Sequence, residues 1–352
     1  MQSLIQQHKA SGNKFIKNIF LMVNNNLVYL SYGNQIEYRR AIFSILSFFS
    51  WCGDLESSTR IIVYTDAPEF FQAFFGDREI EYYYLSPGLL SQMKGPDLFI
   101  HRVKVNVIKL TFENYPGENQ IFIDSDTFFT ADASALFKGI NSGKSLMHVR
   151  EYALKDSIQM FSSFNQGHFP KAFMKLITNH TFEVGAEPIS FNDSDYSWNS
   201  GVIGLHSTFA SSMPDVLNLT DRFYAGSKWF ISEQLAFGLI LQRKTEITAA
   251  DNYIFHYWGK RQKILLDKLL AGYAGIADNT LAKHKDAIKT KTRSYMKAVK
   301  NDLILEQIEI AIDFKSWVYA FKKTGQFILI NPFNLKLYSD LFSTLKSKSQ
   351  LL

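Results

Sequence analysis

Asp124-Ser125-Asp126 follows the apolar run Gln120-Ile121-Phe122-Ile123 and leads into Thr127-Phe128-Phe129. Two carboxylates one residue apart at a strand end offer hard oxygen ligands to a divalent cation, which can bridge the phosphate oxygens of a nucleotide. Such a cation is useful where a diphosphate departs and gathers negative charge. The competing reading is a turn or helix cap. A second candidate is Tyr253-Ile254-Phe255-His256-Tyr257-Trp258-Gly259-Lys260-Arg261. His256 can complete a metal site, and Lys260 and Arg261 can neutralise a phosphate. The alternative is a hydrogen-bonded histidine among rings. In Trp198-Asn199-Ser200-Gly201-Val202-Ile203-Gly204 the small residues let backbone approach a ligand closely, or simply form a loop entering a strand. Ser232-Glu233-Gln234 opens a helical pattern whose apolar face runs from Leu235 to Leu241. Ser232 suits a cap, while Glu233 or Gln234 could face a substrate.

These residues need a scaffold, and the first two thirds of the chain describe one. Leu27-Val28-Tyr29-Leu30 reads as a buried strand closed by Ser31-Tyr32-Gly33-Asn34, followed by a helix carrying Ile36, Phe43 and Leu46. Arg60 to Tyr64 is the next strand, ending at Thr65-Asp66-Ala67-Pro68, and Glu79 to Leu85 a third. His101 to Phe112 has helical period, and Gln120 to Ile123 is the strand before the paired aspartates. This cadence predicts an α/β fold with a largely parallel sheet and helices on both faces. Ligands then collect at the carboxyl ends of strands, where Ser31, Asp66 and Asp124 stand.

Taken in order, these motifs resemble the GT-A glycosyltransferases, especially the glycosyltransferase family 8 group, over roughly residues 27 to 261. The resemblance implies a GT-A, Rossmann-like domain, a nucleotide-diphosphate sugar donor, and Mn²⁺ or Mg²⁺ held by Asp124, Asp126 and His256. It implies that Ser31, Tyr32 and Gly33 hold the nucleoside and that Thr65 and Asp66 lie at the base. Arg102 would reach the donor sugar or the first aspartate. Asn199, Ser200 and Gly201 would form the sugar-binding loop, and Gln234 would sit near the reacting carbon. Ser125, Gly259, Lys260 and Arg261 complete the donor-binding set, with Asn199, Glu233 and Gln234 as the catalytic candidates. The sequence departs from the family's ending, usually His-x-x-Gly-x-x-Lys-Pro-Trp. Position 262 is Gln, so the phosphate cation must be Lys260, Arg261 or Lys263. Glu-Gln stands where Asp-Gln is common. Glu233 could be the general base of an inverting enzyme, or Gln234 could lie under the sugar in a retaining one; the resemblance favours retention.

Charge divides the chain. Residues from Lys260 onward hold 17 basic and 8 acidic side chains, a net +9 out of +5 overall, leaving −4 for the preceding part. We therefore expect a catalytic domain over residues 1–260 and a mainly helical basic extension over 261–352. Rings interleave with lysines near the end, as in Trp317, Tyr319, Phe321, Lys322 and Lys323. That pattern suits either an anionic membrane surface or a solvated helical face. The single cysteine, Cys52, excludes an internal disulfide, and Met1 to Ile19 lacks the apolar core of a signal peptide. The expected setting is cytoplasmic, with peripheral contact at the inner membrane face. The expected acceptor is a glycan or lipid-linked glycan, such as a cell-envelope polysaccharide precursor, and no nucleic acid is expected. Two other enzyme classes use related strand-end chemistry. A haloacid dehalogenase-type phosphatase needs Thr or Val where Phe128 stands. A sugar nucleotidyltransferase needs a basic glycine-rich loop, which Ser31 to Gln35 does not provide.

Overall fold

The computed structural model describes residues 25–75, 78–271, 285–313 and 316–333, with short pieces at 338–339, 341–343 and 346. The reading of residues 1–19 lies outside the described residues.

The described residues begin with β1 (Asn25–Leu30), α1 (Gln35–Trp51), β2 (Thr59–Thr65), α2 (Pro68–Phe75), β3 (Ile80–Tyr84), α3 (Pro87–Lys94), α4 (Arg102–Asn114) and β4 (Asn119–Asp124). Asn34 starts α1 by accepting from the amides of Ile36 and Glu37, satisfying donors that no helical carbonyl can reach. Ser86 caps α3 in the same way, with Pro87 at the first helical position. A short run of small elements follows: β5 (Thr127–Phe129), α5 (Ser134–Lys138), β6 (Lys144–Met147), β7 (Arg150–Ala153), α6 (Leu154–Ser162), α7 (His168–Asn179), β8 (Phe182–Val184), β9 (Glu187–Ile189), β10 (Tyr196–Trp198) and β11 (Val202–Leu205). The remainder is α8 (Met213–Ser227), α9 (Ser232–Lys244), β12 (Glu246–Ala249), β13 (Ile254–His256), α10 (Lys260–Ala271), α11 (Lys285–Asp313) and α12 (Trp317–Ile330).

Seven strands form the central sheet in the order β12-β6-β11-β4-β1-β2-β3. Strands β3, β2, β1 and β4 are parallel, β11 runs antiparallel between β4 and β6, and β12 is parallel to β6. The α/β fold expected from the strand–helix cadence is therefore present. Both faces are covered, which explains the continuous apolar strands. Leu27, Tyr29, Ile61 and Val63 point into a core shared with α1 and α2, while Val28, Ile62 and Tyr64 point into another with α4, α8 and α9. Opposite facing of alternate residues is the period of a strand.

Residues on either side of position 260 pack together. Tyr257, Leu266, Leu270, Tyr295 and Val299 share a buried cluster with Phe43 of α1 and Phe128 of β5. Arg40 of α1 grips Asp267 of α10 through two hydrogen bonds of 2.7 and 2.8 Å. α10 and the first half of α11 are thus part of the body that carries the sheet. Beyond them, α12 packs on the end of α11 through a small separate cluster that includes Ile308, Ala320 and Phe327. No helix among the described residues is long and apolar enough to cross a membrane.

Candidate active site

Strand order reverses between β1 and β4, so a crevice opens at their carboxyl ends, the place where parallel sheets of this kind hold ligands. Asp124 is the last residue of β4, and the chain turns at once into β5. β5 pairs antiparallel with β13, matching Thr127 with His256, and the Tyr257 amide donates to the Asp126 carbonyl at 3.1 Å. This short ladder carries a histidine distant in sequence to the paired aspartates. Ligand atoms of Asp124, Asp126 and His256 all lie within 4.8 Å of one another. His256 Nε2 is 3.2 Å from Asp126 Oδ1.

The imidazole is oriented from behind. Asn199 Oδ1 receives the Gly201 amide at 3.0 Å, and Asn199 Nδ2 donates to Glu151 at 3.3 Å, which fixes which amide atom is the oxygen. His256 Nδ1, 2.9 Å from that same oxygen, must therefore carry a proton and donate. Nε2 is left facing the aspartates, the atom through which His256 would bind a cation. Two carboxylates and one such nitrogen form a donor set that fits Mn²⁺ or Mg²⁺ bound mainly through oxygen. Gly201 is essential to this packing: a Cβ there would lie 2.2 Å from His256 Nδ1.

Cations flank the carboxylates. Lys104 of α4 is buried, with its ammonium 3.0 Å from Asp124, 3.1 Å from Glu233 and 3.2 Å from the Ser200 carbonyl. Burial disfavours its charge, but the two carboxylates outweigh that and raise its pKa. Lys263 of α10 reaches Asp126 at 2.6 Å. Burial likewise opposes ionisation of Asp126, yet the neighbouring His256 and Lys263 hold it well below the usual carboxylate range. Glu233 is buried and accepts from Ser200 Oγ at 2.7 Å; despite burial, Lys104 lowers its pKa. A buried carboxylate kept ionised and already paired is poorly suited to take a proton from an acceptor. Glu233 anchors Lys104 and the Asn199-Ser200-Gly201 loop.

Gln234 is also fully engaged. Its Nε2 donates to Glu151 at 2.9 Å and to Ser197 at 3.0 Å, and its Oε1 accepts from the Ser200 amide at 3.3 Å. Glu151, exposed on β7, therefore gathers donors from Ser197, Asn199 and Gln234. Trp258 stands beside His256, with ring centroids 5.1 Å apart, and is 51% exposed. It offers a flat apolar face at the rim.

Other sequence candidates fall in different places. Ser125 donates to Glu37 at 2.8 Å, tying the turn between the aspartates to α1. Ser31 is buried at the end of β1, and its hydroxyl has no hydrogen-bond partner, while Tyr32 is half-buried next to it. Gly33 has φ +97, open to glycine, and its amide donates to Asp66 at 3.0 Å. Asp66 also accepts from Tyr38 at 2.7 Å, so it shapes the crevice wall from within. Thr65 is fully buried, and its hydroxyl accepts from the Ala67 amide at 3.1 Å. Arg102 does not reach the aspartates. It forms a two-pronged pair with Asp221 at 2.6 and 3.1 Å and also bonds the Met93 carbonyl. Lys104, two residues further along α4, takes that place. Arg261 points the other way, locked to Asp302 and Glu309 of α11. Lys260 is exposed, and Gly259 starts α10 with its amide directed at Gln262. Of the three cations that could face a phosphate, Lys263 is the one beside Asp126.

Lys104, Glu151 and Glu37 carried no sequence signal of their own. Lys104 sits on a helix where lysine ordinarily reads as solvated.

No family model matches the chain, and no curated protein matches it. Among solved structures, mouse xyloside xylosyltransferase 1 in its apo form is 12% identical and covers 64% of this chain and 85% of its own, with a TM-score of 0.42. Galactosyltransferase LgtC in complex with donor and acceptor sugar analogs is 12% identical over 70% of this chain and 95% of its own, TM-score 0.44. The glycosyltransferase GlyE of Streptococcus pneumoniae TIGR4 is 11% identical over 78% of this chain and 64% of its own, TM-score 0.43. Identities and scores of this size do not by themselves assign a chemistry to this chain.

Proposed function

We propose that this chain is a metal-dependent glycosyltransferase of the GT-A type that moves a sugar from a nucleotide diphosphate to a hydroxyl acceptor. The observation carrying this reading is the convergence of Asp124, Asp126 and His256 at the carboxyl end of β4, beside the crevice where the strand order reverses. A bound Mn²⁺ or Mg²⁺ would supply Lewis-acid charge opposite the departing diphosphate. Asp124, Asp126 and His256 would hold it, and Asn199 keeps the His256 lone pair turned towards it. Lys263 is placed to swing from Asp126 to a phosphate oxygen and offset the charge that grows as the sugar bond breaks. Ser31, Tyr32 and Gly33 line the nucleoside end of the crevice. The Asn199-Ser200-Gly201 loop, held by Glu151, Glu233 and Gln234, forms the sugar side.

We infer retention of anomeric configuration, because Glu233 is ionised and paired with Lys104 rather than turned to an acceptor. The acceptor class in this reading is a glycan or lipid-linked glycan, with Trp258 as a face for a sugar ring to stack against. A thermal-shift screen of nucleoside diphosphates with and without Mn²⁺ tests the proposal, since a ligand that binds only the native state raises the midpoint by mass action. The expected result is a nucleotide shift that requires Mn²⁺ and vanishes in Asp126→Asn. An Mn²⁺-independent shift, or one untouched in Asp126→Asn, sinks the metal assignment. Release of pyrophosphate from a nucleoside triphosphate and a sugar phosphate would instead make it a nucleotidyltransferase.

A further inference from the structure

α12 has two apolar faces, and only one is used. With about 100° of turn per residue, Ala320 and Phe327 fall on the same side, and both are buried against α11. On the opposite side stand Val318, Phe321 and Leu329, which are 86%, 74% and 82% exposed. Phe333, just past the helix, is 93% exposed. Scattered surface hydrophobics are ordinary, but a run of large ones aligned on one helix face marks a surface that meets something apolar.

The shape and charge of this face indicate what it meets. It is the convex outside of a single helix, not a groove. Lys322 lies on the same face, whereas Lys323 falls on the other side of the helix, over the Tyr319 ring at 5.5 Å. Tyr319 and Trp317 are partly exposed at its margins. The stretch from Trp317 to Phe333 holds two lysines and no acidic residue, so the face carries positive charge only. Apolar side chains standing clear of the surface, amphipathic rings beside them and Lys322 among them match the layered chemistry of an anionic bilayer surface, acyl chains below and phosphate above.

We propose that the outward face of α12 docks the protein on an anionic lipid bilayer, with Val318, Phe321, Leu329 and Phe333 entering the acyl boundary and Lys322 meeting lipid phosphate. The inference does not depend on the reading of the active site. It also narrows the sequence-based expectation from the whole basic extension to one face of one helix; α10 and the first half of α11 are committed to the catalytic body.

Flotation of the full chain tests it, using vesicles of phosphatidylcholine with about one third phosphatidylglycerol, against phosphatidylcholine alone. At low salt the protein should float with the anionic vesicles and stay behind with the neutral ones. Lys322→Gln should lower the partition coefficient about fivefold. Phe321→Ser with Leu329→Ser should abolish flotation while leaving the thermal midpoint unchanged, because both side chains already face water. Absence of flotation on anionic vesicles overturns the proposal, as does flotation that survives Phe321→Ser with Leu329→Ser. A lowered midpoint in that variant would show that the chain itself covers the face. A concentration-dependent dimer, seen by sedimentation without lipid and lost in the same variant, would make the face a contact between copies. Either of these last two results also overturns the proposal.

Discussion

Gly201→Ala probes the arrangement at its tightest point. Gly201 is not among the residues with positive φ, so alanine brings no backbone strain and acts through its methyl group alone. That methyl would lie 2.2 Å from His256 Nδ1, 2.4 Å from Cε1 and 2.9 Å from Cγ. Ordinary carbon contacts begin near 3.4 Å, so the ring must retreat by about 1.2 Å. It is held at both nitrogens, by Asn199 at 2.9 Å and near Asp126 at 3.2 Å, so a retreat of that size breaks at least one contact. Loss of a partner that orients a metal ligand typically weakens metal binding about 10–100-fold. A misplacement of about 1 Å lowers turnover by about 100-fold. Overpacking should also cost about 1–3 kcal/mol of stability, so a control is needed. Gly204→Ala provides one: its methyl would meet Leu146 Cδ1 at 2.7 Å, further along β11 and away from the histidine. Calorimetric titration of Mn²⁺ in the presence of a nucleoside diphosphate, with unfolding curves for both variants, separates the effects. Both variants should lose stability, and only Gly201→Ala should lose metal affinity. If Gly201→Ala binds Mn²⁺ like the parent, or Gly204→Ala weakens it equally, the placement of His256 as a ligand oriented by Asn199 is wrong.

Three further outcomes are expected. Lys263→Gln should lower turnover more than it weakens donor binding, since the charge it offsets grows during the reaction; Arg261→Gln, which breaks partly exposed pairs with Asp302 and Glu309, should keep turnover and lose only about 1 kcal/mol in urea unfolding, and equal kinetic losses in the two would refute the distinction. Glu233 has a folded pKa below its ordinary 4.5, so its contribution is fully present above that value and is lost as pH falls through the lower folded one. Glu233→Gln should therefore be less stable at neutral pH and show a flatter loss of stability towards acid, while Lys104→Met, which strands the buried carboxylate, should cost about 3–5 kcal/mol at pH 7; parallel acid limbs for Glu233→Gln and parent would contradict this. Trp258→Ala should raise the acceptor KM with little change in kcat, because its half-exposed ring lies at the rim and makes no contact needed at the reacting atoms; an unchanged KM would remove it from the binding surface.

Local signals carried much of the framework. Strands such as Ile61 to Tyr64 announce themselves by uninterrupted apolar residues, because both faces of a parallel sheet are covered. The paired aspartates follow directly from β4, since a strand end and its first turn are contiguous in the chain. His256 was legible as the close of an apolar run, and the Asn199-Ser200-Gly201 loop by its small residues. What pairing, charge and burial do over long separations was not legible. Nothing in the neighbourhood of Lys104 shows that its ammonium is buried between Asp124 and Glu233, residues brought together by packing α4 and α9 on the same sheet face. Arg102 had the more persuasive chemistry, but helical periodicity turns it towards Asp221. The choice among Lys260, Arg261 and Lys263 rested on how α10 lies against α1 and α11, which is set by the shared core of Phe43, Leu266 and Tyr295 and by Arg40 gripping Asp267. Local composition determines which elements form. Which of several like charges faces the crevice is settled by side-chain contacts between elements far apart in sequence, because a helix directs neighbouring residues to different sides and only packing says which side is the site.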